Sequence, residues 1–260
     1  MRGRVLVTPL PSAGRAGRAA LAAALCAGLS AGLTSCGEDP DAGTNGIGKL
    51  SAGEIEEKAR AAVDGADAVR LSGTLVSKGG SYKLNMRLKQ EGASGSVTSK
   101  DNTFELLRIG DALFLKADAG FWRGADGEGD EPGRADAEAA KKLGDKYVKV
   151  PQNDPSYKRF RGFTDMDVLL DGLLGMQGEL SKGDRTQVGG VKTIKVLAAE
   201  GSGGVLDVSL IGEPYPLQFA RAAGAGVLLL GEWDKDFPLA EPAKDDTLDY
   251  GGQLPTSSGD

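Results

Sequence analysis

Between Val69 and Lys89 the apolar side chains recur at every second residue. VRLSGTLVS sets Val69, Leu71 and Leu75 against Arg70, Ser72 and Thr74. SYKLNMRLKQ sets Tyr82, Leu84, Met86 and Leu88 against Lys83, Asn85, Arg87 and Lys89, and Gly79-Gly80 supplies a hairpin turn between the two. A period of two is that of a strand with one face buried and one face wet. A slip of one residue would turn every apolar group to water, so the register is fixed and the apolar face must be covered by something else in the chain.

The pattern recurs on both sides of a helical middle. SGSVTSK, TFELLRIG and ALFLKAD follow the first pair, with Gly110-Asp111 as a further turn. GELSKGDRTQVGG, VKTIKVLAAE, GGVLDVSLIG, YPLQFARAA and GVLLLGEWDKDF come later. Helices are expected from Ser51 to Gly65, where Ser51 and Glu54 stand at capping-box spacing, from Ala135 to Leu143, and from an N-cap at Thr164 to Leu174. Pro151 to Gly162 reads as a loop with a basic patch at Lys158, Arg159 and Arg161. Runs of strands with segregated helices imply an α+β fold. Few strands are apolar on both faces, so the expected architecture is a single curved antiparallel sheet, an open half-barrel, with helices packed on its concave face.

Ahead of all this lies AALAAALCAGLSAGLTSC, residues 19–36, preceded by Arg2, Arg4, Arg15 and Arg18. A basic start, a short apolar run and small residues at the end are the parts of an export signal. Leu33-Thr34-Ser35-Cys36 resembles the lipobox of bacterial lipoproteins, in which the cysteine receives a diacylglyceryl group with palmitate-type chains and the chain is cut before it. The competing reading is an uncleaved membrane helix. The 17 uncharged residues before Cys36 fall at the short end of what crosses a bilayer, and many are weakly apolar Ala, Gly and Ser. The alternative thiol, Cys26, has Leu25 where a small residue is wanted. The reading is therefore a signal at residues 1–35, lipidation of Cys36 with Leu33, Thr34 and Ser35 as the cleavage motif, a flexible tether at 36–49, a folded domain at 50–238 and an irregular tail at 239–260.

Chemistry is narrowed by what is missing. The chain has no histidine, which removes Ser-His-Asp and Cys-His layouts, histidine zinc sites and the commonest general base. Beyond Cys36 there is no further cysteine, so no disulfide supports the domain. All 37 acidic residues follow Cys36 while four of the 31 basic ones precede it, which takes the net charge from −6 for the whole chain to −10 for the part after the signal. Such a surface repels nucleic acid and an anionic membrane alike, leaving acyl chains to hold the domain at a bilayer. Asp126, Glu128, Asp130 and Glu131 alternate like the start of a calcium loop. The sixth and twelfth positions are Glu131 and Ala137 where a calcium loop wants Gly and Glu, so this reads as a solvated loop and no metal is assigned.

The whole succession resembles the LolA/LppX-type lipoproteins. The matching stretches are the lipobox, the helix after the tether, ALFLKA with Phe121-Trp122 after it, Lys146 to Val150, the helix Thr164 to Leu174, Pro214 to Leu217, and Gly231-Glu232-Trp233. Lipoproteins of this kind in high-GC Gram-positive (actinobacterial-type) bacteria are similar, and the Ala, Gly and Asp bias agrees. Tyr147 departs from the pattern where Trp is expected. The resemblance implies a half-barrel holding a lipid or acylated ligand at the outer face of the cell membrane, with no cofactor and no catalysis. The expected lining is Tyr82, Leu84, Met86, Leu88, Phe104, Leu106, Met166, Leu169 and Leu173. The same stripes would also make a filled core, in which case the chain is a structural or interaction lipoprotein with an unidentified protein partner. A third reading, a carboxylate hydrolase, would have to draw on Asp207, Glu213 and Glu232, which no spacing pairs.

Overall fold

Ser51 begins the first helix, α1 (Ala52–Asp64), by the reciprocal bonds its spacing to Glu54 promises. Its hydroxyl accepts from the Glu54 amide, and the Glu54 carboxylate accepts from the Ser51 amide at 2.9 Å. Gly65 ends it. The computed structural model describes residues 41–77, 80–99, 102–124, 141–144 and 146–249. The signal, Leu33, Thr34, Ser35, Cys36, the turn residue Gly79, the acidic loop at 125–136 and most of the helix expected from Ala135 lie outside the described residues.

Twelve strands among the described residues form one sheet. They are β1 (Ala68–Ser77), β2 (Gly80–Lys89), β3 (Gly92–Ser99), β4 (Asn102–Ile109), β5 (Ala112–Ala117), β6 (Tyr147–Val150), β7 (Leu180–Val188), β8 (Val191–Ala198), β9 (Val205–Ser209), β10 (Pro216–Ala220), β11 (Gly226–Gly231) and β12 (Thr247–Asp249). Their spatial order is β12-β6-β5-β4-β3-β2-β1-β11-β10-β9-β8-β7. Two meanders, β1 to β6 and β7 to β11, are thus joined by the pairing of the first strand with β11. The sheet is open and curved, and antiparallel throughout except at one edge, where β12 runs parallel to β6. That three-residue edge strand lies in the tail expected to be mostly irregular. Leu248 sits beside Val148 in the parallel register, which a pattern of two large residues in an acidic stretch does not announce.

The registers put Leu71, Met86, Gly95, Leu106 and Leu115 in one row across five strands. These are inward residues, and the alternation read from Val69 to Lys89 holds strand by strand. The helices cover this face. Besides α1 there are α2 (Ala119–Gly124), α3 (Pro155–Thr164) and α4 (Met166–Leu173). The third replaces the loop expected at Pro151 to Gly162. Proline at the first helical position loses no hydrogen bond, and Asp154 caps the start by accepting from the Ser156 amide at 2.7 Å. For the same reason the N-cap of α4 is Asp165, which accepts from the Val168 amide, and not Thr164, which is the last residue of the preceding helix. Residues 41–49, expected as part of a flexible tether, are bound to the domain. Ile47 is buried in a 3₁₀ turn, Ile47–Lys49, and Asp41 pairs with Arg185 at 2.7 Å.

The join between the meanders is tight. Gly73 of β1 lies opposite Leu228 with φ at 147°, and a side chain there would run into the Val227 carbonyl oxygen. Gly226, at φ 117°, meets the Thr74 carbonyl in the same way from the other strand. Both positions therefore need glycine on two counts, conformation and space. Gly73→Ala is expected to lower unfolding free energy by about 2–4 kcal/mol, the sum of backbone strain and overpacking. Urea titration followed by circular dichroism checks this, with the exposed Gly53→Ala as the control that should be neutral or stabilising.

Candidate functional site

The inner face of the sheet carries two apolar clusters. In one, α1 lays Ile55 and Ala59 on Ile194, Val196, Leu206, Val208 and Phe219 of the second meander. In the other, α3 and α4 lay Tyr157, Phe160, Met166, Leu169, Leu170 and Leu173 on the first meander and β11. Leu174, just past α4, touches both clusters. The site proposed from these elements is the seam between them.

At the seam a cleft opens between α1 and α4. Ala59 and Val63 form one wall, Leu170 and Leu174 the other, and Leu206 and Pro216 the floor. The rim is charged, with Glu56, Arg60 and Asp64 on the first helix and Asp171 on α4. Arg60 donates to Glu56 at 2.7 Å, and that bond, followed by the fields of Glu56, Asp171 and Asp64, raises its guanidinium pKa above the ordinary value. One cation among three carboxylates leaves the rim anionic. The enclosed space is about 20 Å³, room for about one water molecule. The floor and walls offer no nucleophile and no acid–base pair. The cleft is apolar between two helices and polar at its rim.

The residues expected to line a cavity are brought together. Leu84, Met86, Leu88, Phe104, Leu106, Met166, Leu169 and Leu173 are all buried in the first cluster, with Tyr82 packed against its margin. Phe104 lies 5.7 Å from both Phe121 and Phe160, centroid to centroid. These side chains lie behind the seam and pack on one another. The wall residues Ala59, Val63, Leu170 and Leu174 had a signal in the sequence, since they belong to helical stripes. Which stripe faces which is decided only by the long connection from β6 to β7, and nothing in the strand pattern of Leu206 or the stretch around Pro216 places them beside α1 and α4.

One inward residue is a cation. Arg108 on β4 stands in register with Ala93 and Leu113, both fully buried, and is itself 5% exposed. Its Nε and Nη2 donate to the Thr164 carbonyl at 3.1 and 2.9 Å, and its Nη1 to the Gly110 carbonyl at 3.0 Å. The Thr164 carbonyl is at the C-terminal end of α3, the negative end of the helix dipole. Burial pushes the guanidinium pKa below its ordinary value. The strand pattern F-E-L-L-R-I hides this residue, because arginine at an inward position reads as a strand end.

Two of the three carboxylates considered for hydrolysis are engaged by neighbouring side chains. Asp207 is on the outer face as its register implies, but it is buried there and not solvated. Lys195 donates to both its oxygens at 2.9 and 2.7 Å, and the hydroxyls of Thr186 and Thr193 to one of them at 2.7 and 3.2 Å. Glu232 bridges Arg70 at 3.1 Å and Arg87 at 3.0 Å, and its pKa is lowered by the Arg70 bond first. Glu213 is exposed on the loop after β9.

Neither a family model nor a curated protein matches the chain. Solved structures do. The chain is similar to LprF and LppX. LprF from Mycobacterium bovis matches with a TM-score of 0.49 and 15% identity over 74% of this chain and 97% of that one. Lipoprotein LppX from Mycobacterium tuberculosis matches with a TM-score of 0.44 and 12% identity over 73% and 98%.

Arg108→Met should separate the helix layer from the sheet. The variant keeps the apolar stem and leaves the Thr164 and Gly110 carbonyls without their charged donor, for an expected loss of about 2–3 kcal/mol. Thermal unfolding measures the loss, and amide exchange should place the added protection loss in residues 155–173.

Proposed function

We propose that the chain is a membrane-anchored envelope lipoprotein that takes up a lipid or acylated ligand through the α1–α4 seam. The observation that carries this reading is the seam itself. Two apolar clusters under one sheet meet at Leu174 and along α1, which carries Ile55 and Ala59 into one and Val63 into the other, and a narrow apolar cleft opens there, so parting the helices would expose a continuous greasy wall without breaking a strand. Ligand sites of this kind are concave and mostly apolar with a few polar groups at the mouth. The anionic rim around Arg60 favours a ligand with a neutral or cationic head. The inner-face residues Tyr82, Leu84, Met86, Leu88, Phe104, Leu106, Met166, Leu169 and Leu173 would line the opened space.

On this reading Cys36 carries the diacylglyceryl group, residues 1–35 are removed, and the domain works at the outer face of the cell membrane. Two acyl chains are enough for stable anchoring where one is not. No reaction is assigned.

The small enclosed volume favours a second reading, in which the core stays filled and the protein serves as an interaction module. Extraction of natively purified protein followed by lipid mass spectrometry separates the two. Acyl species should co-purify in a fixed ratio and be lost from Leu174→Trp, which plugs the cleft at its rim. Their absence from the wild-type protein sinks the carrier reading. Anchoring is tested apart from it. Cys36→Ser should move the protein from the detergent phase to the aqueous phase in a cloud-point partition and remove the diacylglyceryl mass increment.

A further inference from the structure

The segment after Cys36 is seated on the domain almost at once. Asp41, whose side chain is 7% exposed, holds Arg185 of β7 at 2.7 Å. A tight turn follows, in which the Thr44 amide donates to the Asp41 carbonyl at 3.1 Å. Asn45 then locks onto the end of β9. Its amide donates to the Leu210 carbonyl at 2.8 Å, and its Nδ2 to the carbonyls of Ser209 and Gly212 at 3.1 and 2.9 Å. Lys182 closes the other side by donating to the Gly48 and Leu50 carbonyls. Five residue steps separate Cys36 from Asp41, which a fully extended chain covers in at most about 18 Å.

The loop to which Asn45 is bound holds an isoleucine out into solvent. Ile211 is 46% exposed, and the Ser209 hydroxyl fixes its backbone from both sides, accepting from its amide at 3.1 Å and donating to its carbonyl at 2.7 Å. Beside it an open hollow of about 600 Å³ lies between Leu50, Lys58, Ala61 and Pro214. Lys58 and Glu213 stand together at this hollow, so its chemistry is apolar with balanced charge.

We infer that the loop from Leu210 to Pro214, with Ile211 at its tip, rests on the surface of the bilayer that holds the acyl anchor. This rests on the lipidation of Cys36 proposed above. A leash of at most about 18 Å, bound at Asp41 and again at Asn45, keeps that corner of the domain close to the headgroup layer. An exposed branched side chain beside a hollow where Lys58 balances Glu213 suits the headgroup boundary of a neutral lipid. The arrangement also bears on the seam. Ala61 and Ala62 of α1 line the hollow, and Ala59 and Val63 of the same helix line the cleft. One helix therefore separates the membrane-facing hollow from the ligand mouth.

The full-length lipoprotein, purified from membranes and reconstituted in phosphatidylcholine vesicles, tests this. Once Cys36 is blocked by its thioether, Ile211→Cys or Ser202→Cys gives a single labelling site at one end or the other of β9. An environment-sensitive fluorophore at position 211 should shift to the blue and be quenched by nitroxide-bearing lipids, and at position 202 should show neither change. Combining Ile211→Cys with Arg185→Ala and Asn45→Ala, which release the docked segment, should abolish the shift. Equal behaviour at the two positions in protein that floats with the vesicles overturns the inference and leaves anchoring intact. Protein that carries no diacylglyceryl mass and fails to float overturns the anchor and this inference with it.

Discussion

The antiparallel pairing of β1 with β11 is the contact on which the rest of the molecule depends. Each meander is held by short-range turns and would form a half-covered sheet by itself. Only the six-residue ladder from Arg70–Gly231 to Leu75–Gly226 makes them one surface large enough to shelter the four helices. Its residues are 151 to 161 positions apart in sequence, so closing it carries the largest loop entropy in the sheet. Close backbone contact at Gly73 and Gly226 is what that ladder requires, and the inward residues Leu71, Leu228 and Leu230 supply the burial that offsets the entropy.

On this surface the helices are held unequally. The third helix is secured by Arg108, a buried cation that reaches from the sheet to the last carbonyl of the helix. The fourth leans on the third and meets α1 only through apolar side chains and the field between Arg60 and Asp171. On the proposed reading, a layer with one firm joint and one greasy joint would part at the seam. Charge is used sparingly and in closed sets, Arg108 with carbonyls inside and Asp207 with Lys195 and two threonines outside. A set already satisfied has little left to offer a reaction.

The docked segment changes what a lipid anchor would mean for this domain. A long flexible leash allows every orientation at a membrane, whereas a chain fixed at Asp41 and Asn45 allows few. Rotational freedom is given up when the fold forms, and the face presented to the bilayer becomes a property of the structure.

Much of this was legible in the residues. Period-two alternation from Val69 to Lys89 settled the strands and their inward faces, because side chains on a strand have no choice but to alternate. Ser51 with Glu54 settled the start of α1, because capping is local. Pro155 misled, since the same residue that breaks a helix also begins one, and only the Asp154 cap decides between the two. The inward Arg108, the buried Asp207, the parallel edge strand and the docking of Asp41 to Asn45 were not legible. Each depends on a partner 50 or more residues away, or on a strand neighbour chosen by the sheet order. The sequence by itself determined the alternation, the missing histidine and the acidic charge, all of them properties of single residues or near neighbours. The tertiary structure alone decided where the two clusters meet and which corner carries the N-terminal segment, because those follow from long-range pairing, which no local pattern encodes.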